Sequence, residues 1–217
     1  MEVPVLIACW SVKGGVGTTV VAASIALQHT HDGAPGVVLA DLAGDLPAVL
    51  GLAEPESPGL AGWLAAGPGV PADALARIEV EAAPGLALLP RGDGPLQAPR
   101  AAVLAAMLER SPCTTVVDCG RAEGAVAGAV IERAQQSLLV TRPCFVALRR
   151  ASLAPYRPTG VVVVNEPGRV LSKDDVEQVV HAPVTQIEID PAVARLVDAG
   201  MLTGRIPRSL HALRDAA

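Results

Sequence analysis

Ser11-Val12-Lys13-Gly14-Gly15-Val16-Gly17-Thr18-Thr19 gathers glycines, a lysine and two threonines into one short stretch. Glycines let successive backbone N–H groups converge on one point, and a hydroxyl at the end of such a loop can ligate a hard cation. These are the groups that cradle phosphates and magnesium. In the general phosphate-loop pattern GxxxxGK(S/T), a lysine follows the last glycine and a Ser or Thr reaches the metal. Gly17 and Thr19 fit that pattern, Thr18 stands at the lysine position, and the nearby lysine is Lys13, ahead of the glycines. The stretch predicts nucleotide contacts from Lys13, Gly14, Gly15, Val16, Gly17, Thr18 and Thr19. A plain glycine turn after a strand is the simpler alternative.

Three further positions carry chemistry. Val116-Val117-Asp118 is an apolar run ending in a carboxylate, and an acid at the end of a buried strand has a desolvation cost that a metal ion or a loop hydroxyl would offset. Asp118 is therefore expected to share a magnesium shell with Thr19. Asn165 follows Val161-Val162-Val163-Val164; its amide either offers a donor and an acceptor to a purine edge or simply turns the chain. Asp45, preceded by Gly44 and followed by Leu46-Pro47, is expected to cap the next helix.

Several elements must position these groups. Residues 3–10 form a short apolar run suited to a buried parallel strand, and residues 20–28 continue as a helix without Gly or Pro. Strand, loop and helix thus come in an order that aims free N–H groups and the positive end of the helix dipole at an anion. Further apolar runs at residues 36–40, 86–89, 114–117, 137–140 and 160–164 alternate with expected helices at 60–66, 97–109, 124–133, 145–153, 172–180 and 191–199. That alternation predicts an α/β class with a mostly parallel central sheet and helices on both faces. Ligand chemistry is then expected beyond the C-terminal strand ends. The Gly- and Pro-dense stretch from Glu54 to Pro99, including residues 67–71, reads as surface loops inserted in one domain covering 1–217.

Composition narrows the function. A chain of 217 residues that is 51% apolar but only 2% aromatic builds its core from Ala, Val and Leu, so aromatic stacking is a poor basis for binding nucleic acid or sugar. A net charge of −5 gives no long-range pull toward DNA or anionic lipid. Arg142, Arg149, Arg150, Arg157, Arg195, Arg205, Arg208 and Arg214 nonetheless cluster late, as a solvated face or as a docking surface for a protein or nonspecific DNA. Cys9, Cys113, Cys119 and Cys144 lack CxxC spacing and look like reduced core residues. His29, His31, His181 and His211 lack metal-ligand spacing. The N-terminus shows no secretory pattern and no run reaches the ~18 apolar residues of a spanning helix, which predicts a cytoplasmic protein. Residues 206–214 are too short and too poor in basic residues for firm membrane attachment and are expected to pack as a core helix or cap.

Lys13 followed by Gly14-Gly15-Val16-Gly17 resembles the deviant P-loop of the ParA/MinD ATPases, which carry this early signature lysine as well as the usual one. The resemblance covers nearly the whole chain and implies a single-domain P-loop NTPase fold, ATP or ADP with Mg2+ as ligands, and a homodimer in which the signature lysine reaches phosphates across the interface. It places a DxD-like element after the second strand, where Asp41 matches the first acid, as a metal or catalytic contact, and Ala43 stands at the second. With Thr18 at the lysine position and Ala43 at the acid, hydrolysis is expected to be weak or absent. The phrase from Val38 to Leu52 is most similar to the CpaE/TadZ branch, including actinobacterial septum-site-like proteins. That implies a degenerate ATP-binding localisation or scaffold factor for a pilus or secretion system, a septum or chromosome partition, recruited to a cell pole or septum. An active partition or septum-placement ATPase and a nucleotide-free interaction module are the alternatives. A small-molecule P-loop enzyme such as dethiobiotin synthetase stands further off, since no acceptor-substrate motif is visible.

Overall fold

The computed structural model describes residues 4–67 and 69–216; Val3 at the start of the first expected strand and Pro68 in the expected loop region lie outside it. The first strand, β1 (Leu6–Ser11), leads through the glycine loop into α1 (Thr18–His31). The chain continues with β2 (Val37–Asp41), α2 (Leu46–Leu50), α3 (Gly59–Ala65), β3 (Val80–Ala83), β4 (Leu86–Leu89), α4 (Ala101–Glu109), β5 (Thr114–Arg121) and α5 (Gly124–Arg133). Then follow β6 (Gln136–Thr141), α6 (Phe145–Ser152), β7 (Gly160–Asn165), α7 (Lys173–Val180), β8 (Val184–Glu188), α8 (Pro191–Asp198) and a closing 3₁₀ segment, Arg208–Asp215.

The strands make one eight-stranded sheet in the order β3-β4-β2-β5-β1-β6-β7-β8. Every pairing is parallel except β3 with β4. The α/β class with a mostly parallel sheet is therefore as expected. Two strands were not anticipated, β3 and β8, and both are sheet edges. No residue of β3 is fully buried and β8 buries only Val184 and Ile187, so neither shows the continuous buried run that marks a strand covered on both faces.

Side-chain alternation divides the core in two. Leu6, Ala8 and Trp10 of β1 face one side, where Leu104 of α4, Val130 of α5, Leu148 of α6 and Val176 of α7 pack. Ile7 and Cys9 face the other, against Ala22, Ala23 and Ala26 of α1 and Leu46 of α2. Helices cover both faces. The small alanines of α1, fully buried, let that helix lie close to the sheet. The C-terminal 3₁₀ segment buries Leu210 and Leu213 on the α1 side. It accepts a 2.8 Å bond from the Gln28 amide at Leu210 O, in keeping with the expected core packing of residues 206–214.

Candidate functional site

The loop between β1 and α1 turns on two glycines in the left-handed region, Gly15 at φ 73° and Gly17 at φ 98°, which residues with a Cβ adopt only under strain. Gly17 is the last residue before α1, so the free amides of the first helical turn open into the loop. Gly14, Gly15, Gly17, Thr18 and Thr19 line a cavity of about 410 Å³ together with Leu42, Ala43 and Asp45 beyond β2 and Cys119, Gly120, Arg121 and Glu123 at the end of β5. The cavity sits at the C-terminal ends of adjacent parallel strands, where the alternating pattern predicts ligand chemistry.

The carboxylates divide by environment. Asp118 is fully buried; its Oδ1 accepts from the Gly120 amide at 2.9 Å, and its Oδ2 has no hydrogen-bond partner among the described residues. Burial pushes its pKa up to about 6, the Thr19 hydroxyl and the Gly120 amide pull against that rise, and the charges of Asp41 and Asp45 add to it. An orphaned, buried carboxylate oxygen beside a threonine hydroxyl is a donor set that fits a hard divalent cation. Asp41 is equally buried and pairs in register with Asp118 across β2 and β5. Its oxygens accept from the amides of Ala43 at 2.9 Å, Gly44 at 2.6 Å and Leu46 at 3.0 Å. Burial raises its pKa and these three bonds oppose the rise. Asp41 thus holds the β2–α2 turn in shape.

The expected cap is corrected here. Asp45 occupies the position before α2, but its side chain makes no capping bond; Asp41 satisfies the Leu46 amide instead. Asp45 follows the short turn Leu42–Gly44, is exposed, and lines the cavity. Ala43 lines the cavity too, and a Cβ on Gly120 would lie 3.1 Å from its methyl, so the two small residues sit face to face.

Other expected site residues fall around this cavity. Lys13 is half-buried and is not among the described residues that line it. Its charge reaches Glu166, whose carboxyl is held low chiefly by its bond from Arg169, with Arg142 and Lys13 adding. Val16 lines a second, mainly apolar cavity of about 280 Å³ that shares Gly17 and Val20 with the first. Arg142 also lines it, and its Nε has no partner among the described residues. Asn165, at the end of β7, lies beside this second cavity, with its amide Nδ2 donating to Glu188 at 2.8 Å.

Arg121 and Glu123 were not anticipated. They pair with each other at the cavity wall, three and five residues past Asp118, and no element of the phosphate-loop pattern marks them. Cys119 lines the cavity as well, but burial and the Asp118 charge hold its thiol well above the usual range, so it supplies no thiolate.

No protein-family model matches the chain, and no curated protein matches it. Solved structures do. A ParA family ATPase from Chlorobium tepidum TLS superposes with a TM-score of 0.80 at 20% identity, over 99% of this chain and 98% of that one. The septum site-determining protein MinD from Pyrococcus horikoshii OT3, solved with Mg-ADP, gives 0.77 at 18% identity over 97% and 93%. A variant of McdA from Cyanothece, solved with ATP, gives 0.75 at 19% identity over 100% and 96%. The chain therefore has the P-loop fold of the ParA/MinD ATPases.

Proposed function

We propose that this chain is a ParA/MinD-type nucleotide-binding protein that holds ATP or ADP with magnesium, hydrolyses it weakly or not at all, and serves as a localisation or scaffold factor. The observation that carries this reading is a cavity lined by the left-handed glycine loop and Thr19, with the orphaned oxygen of Asp118 buried in its floor next to Thr19. Backbone amides of Gly14, Gly15, Gly17 and Thr18 would cradle phosphates, Thr19 and Asp118 would hold magnesium with Asp41 behind them, and the apolar second cavity beside Asn165 suits a nucleobase. Magnesium, when bound, supplies charge neutralisation for the phosphates. The neighbours solved with Mg-ADP and with ATP support the same ligands.

Weak turnover follows from two positions. Thr18 brings a hydroxyl and no positive charge, and Ala43 presents a methyl group where the resemblance places the second acid. Both losses fall on stabilising charge that develops in the transition state, more than on ground-state binding. A protein that binds and does not turn over suits a placement role, as a homodimer with protein partners of a pilus, secretion, septum or partition system. Membership of the CpaE/TadZ branch and recruitment to a pole or septum belong to this reading. Nonspecific DNA is a less favoured partner at a net charge of −5. A second reading, an active ATPase, has one observation in its favour: Asp45 lines the cavity and its side chain makes no capping bond.

Calorimetric titration with Mg-ATP, alongside steady-state turnover, tests both. Binding in about the micromolar range that Lys13→Ala weakens, with turnover near background that Thr18→Lys alone does not bring to full activity, is the expected result. Turnover at the rate of an active partition ATPase, lost in Asp45→Asn, would establish the second reading. No binding of any nucleotide by the wild type would leave an interaction module.

A further inference from the structure

Position 18, where a phosphate loop ordinarily presents a lysine, is filled by a threonine that is almost wholly buried. The phosphate cradle still has a cation. Ser11 of β1 pairs in register with Arg121 of β5, and the Ala122 amide donates to Ser11 O at 2.9 Å, so the end of β5 runs alongside the start of the loop. From there the Arg121 side chain lies over the loop: its Cδ is 3.8 Å from where a Cβ on Gly14 would stand. Arg121 is the one cationic side chain among the described residues that line the cavity. About half of it is exposed, and its Nη2 is paired with Glu123, which is itself two-thirds exposed. A pair so open to solvent is weak, and a phosphate oxygen offers guanidinium a stronger, bidentate partner.

We infer that Arg121 supplies the positive charge the loop lacks at position 18, engaging the phosphates of a bound nucleotide and exchanging its resting partner Glu123 for them. The inference rests on the nucleotide-binding reading above. The shift of the cation from the first turn of α1 to the end of β5 has a mechanical consequence. A lysine after Gly17 would move with the helix, whereas Arg121 reaches the cavity from the strand that carries Asp118, so the metal and phosphate contacts would be held by one rigid element. Glu123 then acts as a brake: its carboxylate both occupies the guanidinium and repels incoming phosphate. The two residues should consequently have opposite effects on affinity, a pattern that a merely structural ion pair does not produce, since breaking such a pair from either side acts in the same direction.

The test titrates the purified chain with Mg-ATP, Mg-ADP and AMP by calorimetry, in the wild type and in Arg121→Ala, Arg121→Lys and Glu123→Gln, with thermal unfolding to confirm that each variant is folded. We expect Arg121→Ala to weaken Mg-ATP binding by about 10- to 100-fold, the range for loss of a charge-assisted bond. Arg121→Lys should recover part of that loss, Glu123→Gln should tighten binding several-fold, and AMP should be least affected. Wild-type binding that Arg121→Ala leaves unchanged overturns the inference and spares the nucleotide reading. Equal weakening by Arg121→Ala and Glu123→Gln also overturns it, assigning the pair a structural role. Absence of nucleotide binding in the wild type overturns the nucleotide reading and this inference with it.

Discussion

At the scale of single residues, Asp118 carries the strongest signal in the molecule, and its consequence is a pH dependence with a definite sign. Its pKa stands at about 6 in the folded chain against 3.8 for the free group, chiefly because burial disfavours the charge. The folded state therefore binds a proton more tightly than the unfolded state, and stability falls as pH rises through the window from about 4 to about 6. The nucleotide-free protein should gain of the order of 2–3 kcal/mol from this group between pH 7.5 and pH 4. Thermal unfolding of the wild type and Asp118→Asn across that range isolates the contribution, since the variant should lack this part of the slope. A wild type and variant with parallel profiles would show that Asp118 is not strained by its site. The motif residues were legible in the sequence because each belongs to a contiguous pattern: glycines before a helix, or an acid ending an apolar run. Asp45, Arg121 and Glu123 were not, because their arrival at the cavity depends on where two turns send them, and turn geometry is set by partners distant in sequence.

At the scale of elements, the turn from β2 into α2 depends on a buried anion. Asp41 accepts three backbone amides, from Ala43, Gly44 and Leu46. Removing it leaves the buried Leu46 amide without its partner, while the amides of exposed Ala43 and Gly44 pass to water; a buried unpaired group costs about 1–3 kcal/mol. Asp41→Ala should therefore lower stability by about 1–3 kcal/mol, read as a shift in the urea midpoint at unchanged m-value. Asp41→Asn, which keeps oxygen at one position only, should fall between. If Asp41→Ala unfolds at the wild-type midpoint, the turn is held by packing and Asp41 is left with a ligand role alone. The elements themselves were legible wherever period and burial agreed. Leu86–Leu89 and Gly124–Arg133 match their expected bounds. The expected helix at 97–109 instead begins as a 3₁₀ turn, Ala98–Arg100, before α4, where Pro99 removes an amide donor. The edge strands β3 and β8 escaped because neither is a continuous apolar run: Glu81 interrupts β3, and Thr185, Gln186 and Glu188 accompany Val184 and Ile187 in β8.

At the scale of the whole molecule, the position of Lys13 bears on how two copies would meet. It lies on the loop yet outside the lining of its own cavity, among the described residues, and near Glu166 beyond β7. On the proposed reading, a lysine so placed would contribute little to binding within one chain and would serve a second copy apposed at the loop face. Each copy carries a net charge of −5, so close approach of two such faces is opposed by repulsion until a shared set of phosphates and Lys13 ammonium groups reverses it locally. On the proposed reading nucleotide binding and dimerisation would be linked, each strengthening the other by the same factor. Light scattering after size exclusion should show a monomer without ligand, a dimer with saturating Mg-ATP, and a monomer under both conditions for Lys13→Ala. Because linkage is reciprocal, the apparent affinity for Mg-ATP should also rise with protein concentration in the wild type and not in the variant. A mass that ignores Mg-ATP while calorimetry reports binding would separate the two functions, making the nucleotide a structural ligand of a single chain and leaving Lys13 to interact with Glu166 alone.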